Sequence, residues 1–137
     1  MDYDEIRAKL KTRLETVSTP ESFVAVFDNV PDSIVVPCAI VVPASTAITY
    51  HEAMGTVAAA STTCFFNIIV AAQRFESASA QNLLNDYLVS VPTALEADQT
   101  LDGQATALTV TAARNYGRLP FADSVFLAVE LDLEVLV

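Results

Sequence analysis

A chain of 137 residues is one domain by length and can bury a hydrophobic core without metal or disulfide staples. Seventeen acidic against seven basic residues leave a net charge of −10, a surface that repels phosphate and argues against gripping DNA or RNA. The apolar fraction of 53% is largely Ala and Val with no Trp, which suits tightly packed strands and subunit faces that are buried only on assembly.

The first predicted element is a helix over about Asp4 to Val17. Tyr3, Ile6, Leu10, Leu14 and Val17 recur at three- and four-residue spacing and make one apolar stripe. Acids lead and bases follow, which suits the helix dipole. Glu5 and Lys9 are correctly ordered for a pair one turn apart. Thr19-Pro20 ends the helix.

Strand signals come next. Phe23 to Phe27 alternates, and Asn29 to Asp32 is a turn. Ile34 to Val42 is almost continuously apolar, but Pro37 interrupts it and argues for an edge strand or a bulge. Pro43 to Ser45 is expected to turn the chain, and Ala47 to Met54 to be extended. Gly55 to Thr63, rich in Ala, Ser and Thr, reads as a loop. Phe65 to Ala72, apolar on both faces, is the best candidate for a central strand.

A second helix is predicted over about Ala78 to Val89, with Ser77 as its N-cap. Ala80, Leu83, Leu84, Tyr87, Leu88 and Val91 fit the helical template. Pro92 and Thr93 open a short third helix to about Ala97, so the expectation is a central helix pair. Asp102-Gly103 is a turn. Ala105 to Ala113 is a strand with Leu108 and Val110 facing inward, and Asn115-Tyr116-Gly117 begins a loop. In the last strand, Ser124 to Val137, Val129, Leu131, Leu133 and Val135 share one face and Glu130, Asp132 and Glu134 the other. Runs of strands and runs of helices, without strict alternation, mean a single α+β domain over residues 1–137, its mixed or antiparallel sheet having about four to six strands.

Little of this spells chemistry. His51-Glu52 starts like a zinc-protease HExxH motif, but the second His is missing and His51 is the only histidine, so a surface or interface role is expected. Three glycines exclude GxGxxG, P-loop and GxSxG motifs. Cys38 and Cys64 sit in apolar runs, form no CxxC motif and read as buried free thiols. No catalytic residue, cofactor or metal ligand is expected. The N-terminus is too polar for a signal peptide, and no apolar run is long enough to cross a bilayer.

Charge patterning is the remaining signal. Arg7, Lys9, Lys11 and Arg13 cluster near the N-terminus, and from Phe75 onward nine carboxylates face two arginines. One reading is ordinary solvation of exposed faces. The other is a basic contact surface on Arg7, Lys9, Lys11 and Arg13 that mates head to tail with an acidic one. Glu130, Asp132 and Glu134 would supply the acidic surface, facing a partner or a channel, with Glu96, Asp98 and Asp102 adding to the same field.

The order and wording of several stretches carry a resemblance. PESFVAVFDNVPDSIVVPCAIVVP follows the first helix, and TYHEAMG precedes FFNIIVAAQRFESASAQNLLNDYL. SVPTALEADQTLDGQATALTVTAARNYG comes next, and FLAVELDLEVLV closes the series. Over nearly its whole length the chain resembles the tail terminator (tail completion) proteins of long-tailed bacteriophages, notably those from actinobacterial hosts. It departs from the family where Thr63-Cys64 replaces an aromatic and where Ser124-Val125 replaces a Tyr-Gly pair.

The resemblance implies a non-enzymatic structural protein of the virion, assembled in the host cytoplasm. Its subunits would form a homohexameric ring at the head-proximal end of the tail. The implied partners are other copies of itself, the major tail tube protein and the head–tail connector (stopper or neck) protein, with DNA passing through the lumen without specific binding. No membrane partner is expected. A head-side connector subunit is the neighbouring alternative. A small cytoplasmic ligand-binding domain or enzyme is the alternative of another class.

Overall fold

The computed structural model describes the backbone of residues 3–53, 56–75, 78–121 and 124–137, and the side chains of the same residues except 50–53 and 56–61. Two helices lie against one face of a five-stranded mixed sheet, an α+β arrangement. In chain order the elements are α1 (Tyr3–Glu15), β1 (Ala25–Phe27), β2 (Cys38–Ala53), β3 (Thr56–Arg74), α2 (Ala80–Glu96), β4 (Ala107–Phe121) and β5 (Ser124–Leu136). The strands lie side by side in the order β1-β2-β3-β5-β4. Only β1 and β2 are parallel; every other neighbour is antiparallel.

Helix α1 buries its predicted stripe. Ile6, Leu10 and Leu14 are sealed from solvent, and Val17 follows in a tight turn closed by the Val17 N–H on the Leu14 carbonyl. Tyr3 stacks on Phe66 of β3 with ring centres 4.8 Å apart. Phe23, expected in the first strand, leaves it to stack on Tyr87 of α2 at 4.7 Å, and β1 shrinks to three residues.

The expected break at Pro92 does not occur. Helix α2 runs through it, with Pro92 in its interior. The final turn is kept because Val91 and Leu95 on either side of the proline are buried in the core, and because the Thr93 hydroxyl donates to the Val89 carbonyl at 2.8 Å. A mid-helix proline removes one backbone bond and strains the preceding turn. Pro92→Ala is therefore expected to raise stability by about 1–2 kcal/mol in urea or thermal unfolding. A loss would mean that the proline sets the angle at which Leu95 enters the core. Ser77, the expected N-cap, lies outside the described residues; the residue preceding the helix is Ser79.

One expected turn and two expected loops are strand instead. Pro43 to Ser45 lies inside β2, at a register shift between Pro43 and Ile48. β1 reaches only as far as Ile40, so among the described residues this stretch has no strand on its other side. An open edge and a bulge are where a sheet accepts proline. Pro37, by contrast, precedes β2. Thr56 to Thr63 is the first part of β3, paired with β2, and Gly55 lies outside the described residues. Asn115-Tyr116-Gly117 is a bulge within β4: Asn115 has φ 55, and the register shifts between Arg114 and Gly117.

The main core lies between helices and sheet. Leu84, Tyr87, Val91 and Leu95 meet Phe66, Ile68 and Val70 of β3 and Val129, Leu131, Leu133 and Val135 of β5 there. β3 is the central strand, as expected. Leu108 is sealed in this core and Val110 packs against it. Cys38 and Cys64 are buried, and neither is in a disulfide. Among the described residues no helix is long and apolar enough to cross a membrane.

Candidate functional site: the helix-free face of the sheet

Residues of β5 alternate between the two faces of the sheet. Val129, Leu131, Leu133 and Val135 enter the helix-side core, so Glu130, Asp132 and Glu134 stand on the face that carries no helix. This face has two halves. At one end Cys38, Ala71, Phe126 and Ala128 form a small second core, covered by Ile34 and Val36 from the β1–β2 connection and by Leu119 and Phe121 from the β4–β5 hairpin. At the other end lies a polar groove.

The groove has a volume of about 220 Å³, and its walls include Ser45 and Thr46 at the β2 bulge, Asn67, Thr111, Arg114, Asp132 and Glu134. Asp132 is its electrostatic centre. Arg114 Nε donates to Asp132 Oδ1 at 3.0 Å, and Arg114 Nη2 lies 4.0 Å from Glu130 Oε2. Asn67, oriented with its amide nitrogen as donor, reaches Asp132 Oδ1 at 3.1 Å. The register explains the convergence: Arg114 faces Glu130 across the hairpin, and Asn67 faces Asp132. Half the guanidinium side chain is exposed, so this arrangement is screened by water and salt. Arg114→Ala is expected to lower stability by less than about 1 kcal/mol, with the difference shrinking as salt is added.

Glu96, Asp98 and Asp102 do not join that row. They lie at the end of α2 and in the turn after it, on the helix side. Glu96 accepts from the Val110 N–H at 3.3 Å and ties the helix end to β4. Asp98 accepts from the Thr100 hydroxyl at 2.9 Å and the Asp102 N–H at 3.0 Å. The Thr100 hydroxyl first, then backbone N–H donors, hold its carboxyl below the usual carboxylate range. Asp102 pairs with Lys9 at 3.2 Å.

The structure therefore sets α1 bases beside α2-end acids within one copy. Arg7 pairs with Asp4 at 3.1 Å, Lys9 reaches Glu5 at 4.0 Å as well as Asp102, and Arg13 donates twice to the Ala94 carbonyl, at 2.8 and 3.3 Å. Lys11 lies on the same helix, half-buried. The His51 and Glu52 side chains lie outside the described residues, although the backbone of His51 pairs with Ser61 in the β2–β3 hairpin.

Sequence reasoning missed Arg114. Its signal was the hairpin itself: had β4 been extended past Ala113, the pairing with β5 would have set Arg114 against the carboxylate row. It also missed a second set of groups at the β4 bulge. Arg118 lies over the Phe75 ring at 4.4 Å, and the Tyr116 hydroxyl donates to Asn85 Oδ1 of α2 at 2.8 Å.

Among the described residues no group of three or more His, Cys, Asp and Glu side chains is placed to hold a metal ion. Arg114 pairs with Asp132 and lies near Glu130, and the excess of carboxylates leaves an acidic, solvent-facing wall. No protein-family model and no curated protein matches the chain.

Proposed function

We propose that the protein is a structural subunit of a phage tail terminator ring, a homohexamer that caps the head-proximal end of the tail tube. The ring ends tube polymerisation and joins the tail to the head-side connector. The observation that carries this reading is the helix-free sheet face with its carboxylate row. Both helices pack on the other side, so Glu130, Asp132 and Glu134 form a wall that a ring can turn toward its lumen. A carboxylate-lined wall repels the DNA backbone and lets DNA pass without adhering. Arg114 neutralises part of the row and fixes its geometry while leaving the wall acidic. The sequence resemblance supplies the position in the virion, which no feature of the fold would name.

The reading is tested by adding the protein to polymerising major tail tube protein. Tubes should become shorter with rising protein concentration and carry extra density at one end. Tubes of unchanged length, with the protein bound to the portal or its adaptor and not to the tube, would place it on the head side as a connector subunit.

A further inference from the structure

Two surface patches, each containing apolar side chains that the core does not use, border the same rung of the sheet. The rung runs Ala25, Cys38, Ala71, Ala128, Gly117 across all five strands. At its β1 end, segment 21–37 leaves Val24, Val30 and Val35 about three-fifths exposed (61%, 61% and 59%). The charges in that segment, Glu21, Asp28 and Asp32, are all negative, and no Lys or Arg occurs between Arg13 and Arg74.

At the β4 end, Phe75, Tyr116 and Val125 are exposed, and the Phe75 N–H donates to the Val125 carbonyl at 2.9 Å. Phe75, Tyr116 and Leu127 help line a hollow of about 450 Å³ beside the first turn of α2. Two guanidiniums belong to this end, Arg118 over the Phe75 ring and Arg74 next to it in the chain. Neither takes part in an ion pair among the described residues; Glu76 and Asp123 lie outside them.

From these patches we infer that copies of this chain associate head to tail, the exposed valines of segment 21–37 on one copy seating in the Phe75–Tyr116 hollow of the next. Glu21 and Asp32 then face Arg74 and Arg118. This deepens the ring reading and rests on it for the identity of the partner, a second copy. The two patches differ in shape and charge, so the contact is heterologous, the kind that closes into rings when the rotation permits. The rung residues they border, Ala25 and Gly117, lie four strand spacings or roughly 19 Å apart. Complementary charge selects one edge for the other and opposes pairing of like edges. The N-terminal bases are poor candidates for the role, because Arg7, Lys9 and Arg13 already hold partners within the same copy.

The test is sedimentation of the full chain as wild type, as Arg74→Glu/Arg118→Glu and as Glu21→Arg/Asp32→Arg, with thermal melts to show that each variant folds. All four positions are exposed, so each variant should fold and melt cooperatively, the one carrying Arg118→Glu slightly earlier because its contact on the Phe75 ring is lost. Each double variant should raise the self-dissociation constant by about a hundredfold or more. An equimolar mixture of the two should assemble again, because every contact in it joins opposite charges. Val35→Lys, which breaks the apolar part of the same contact, should also weaken assembly. If both double variants assemble as the wild type does, or if the mixture stays apart, the patch assignment is wrong while the ring reading stands. If the wild type remains monomeric at its highest soluble concentration, the patch assignment fails, and the ring reading fails with it when no ring forms in the presence of tail tube protein either.

Discussion

Phe66→Ala should lower the stability of the folded chain by about 4 kcal/mol, the largest effect expected of any single truncation here. Phe66 is 1% exposed, sits on the central strand and stacks on Tyr3 of α1, so one side chain joins the N-terminal helix to the middle of the sheet. Truncation removes buried apolar surface and leaves a cavity that sheet and helix cannot both close. In a domain of this size the loss corresponds to a fall in Tm of about 10–20 °C. Val89→Ala on the exposed side of α2, where Val89 is 71% exposed, should stay within about 0.5 kcal/mol. Urea unfolding of both variants measures the contrast. Equal effects would mean that the helix layer is not packed on this face of the sheet.

The second large effect is alkaline. Burial pushes the Cys38 thiol up to about 11 from an ordinary value of 9.0, and it also raises Cys64, Tyr3 and Tyr87. Tyr87 is sealed in the core, where its hydroxyl donates to the Glu21 carbonyl at 2.8 Å. All four groups are neutral when protonated, and each keeps its proton to higher pH in the folded chain than in the unfolded one. Their stabilising contribution is complete below the unfolded values and is lost as pH rises through the folded ones, because the unfolded chain binds fewer protons there. Stability should therefore hold to about pH 8.5 and decline above it. Cys38 alone accounts for roughly 2–3 kcal/mol by pH 11. Cys38→Ala should flatten the decline between pH 9 and 11 in a series of urea melts; an unchanged slope would show that the thiol is not protected from ionising.

Much of this architecture could be read from spacing. The stripe of Ile6, Leu10 and Leu14, the template from Ala80 to Val91 and the alternation from Val129 to Val135 each match a single period, and the core assembles along those lines. The differences cluster at proline, glycine and small residues, which locally read as chain breaks. Pro43 stays in a strand because its stretch faces no neighbour beyond Ile40, and Pro92 stays in a helix because Val91 and Leu95 are buried around it. Asn115 turns left-handed within β4 and keeps the strand going as a bulge. In each case the tertiary setting, an open sheet edge, a buried helix face or a bulged register, outweighs the local preference, and a single sequence does not display that setting. The candidate site was half legible for the same reason. The acidic row follows from alternation alone, but its arginine clamp depends on a β4 longer than its sequence suggested. The separation of Glu96, Asp98 and Asp102 from that row depends on which face the helices cover.

As proposed, this chain works as a ring with an acidic sheet face toward an open centre. Electron micrographs of the purified full chain, viewed down the particle axis, test it most directly. Six-fold rings with an open centre are expected. Compact particles without a central opening, both alone and in the presence of tail tube protein, would contradict it.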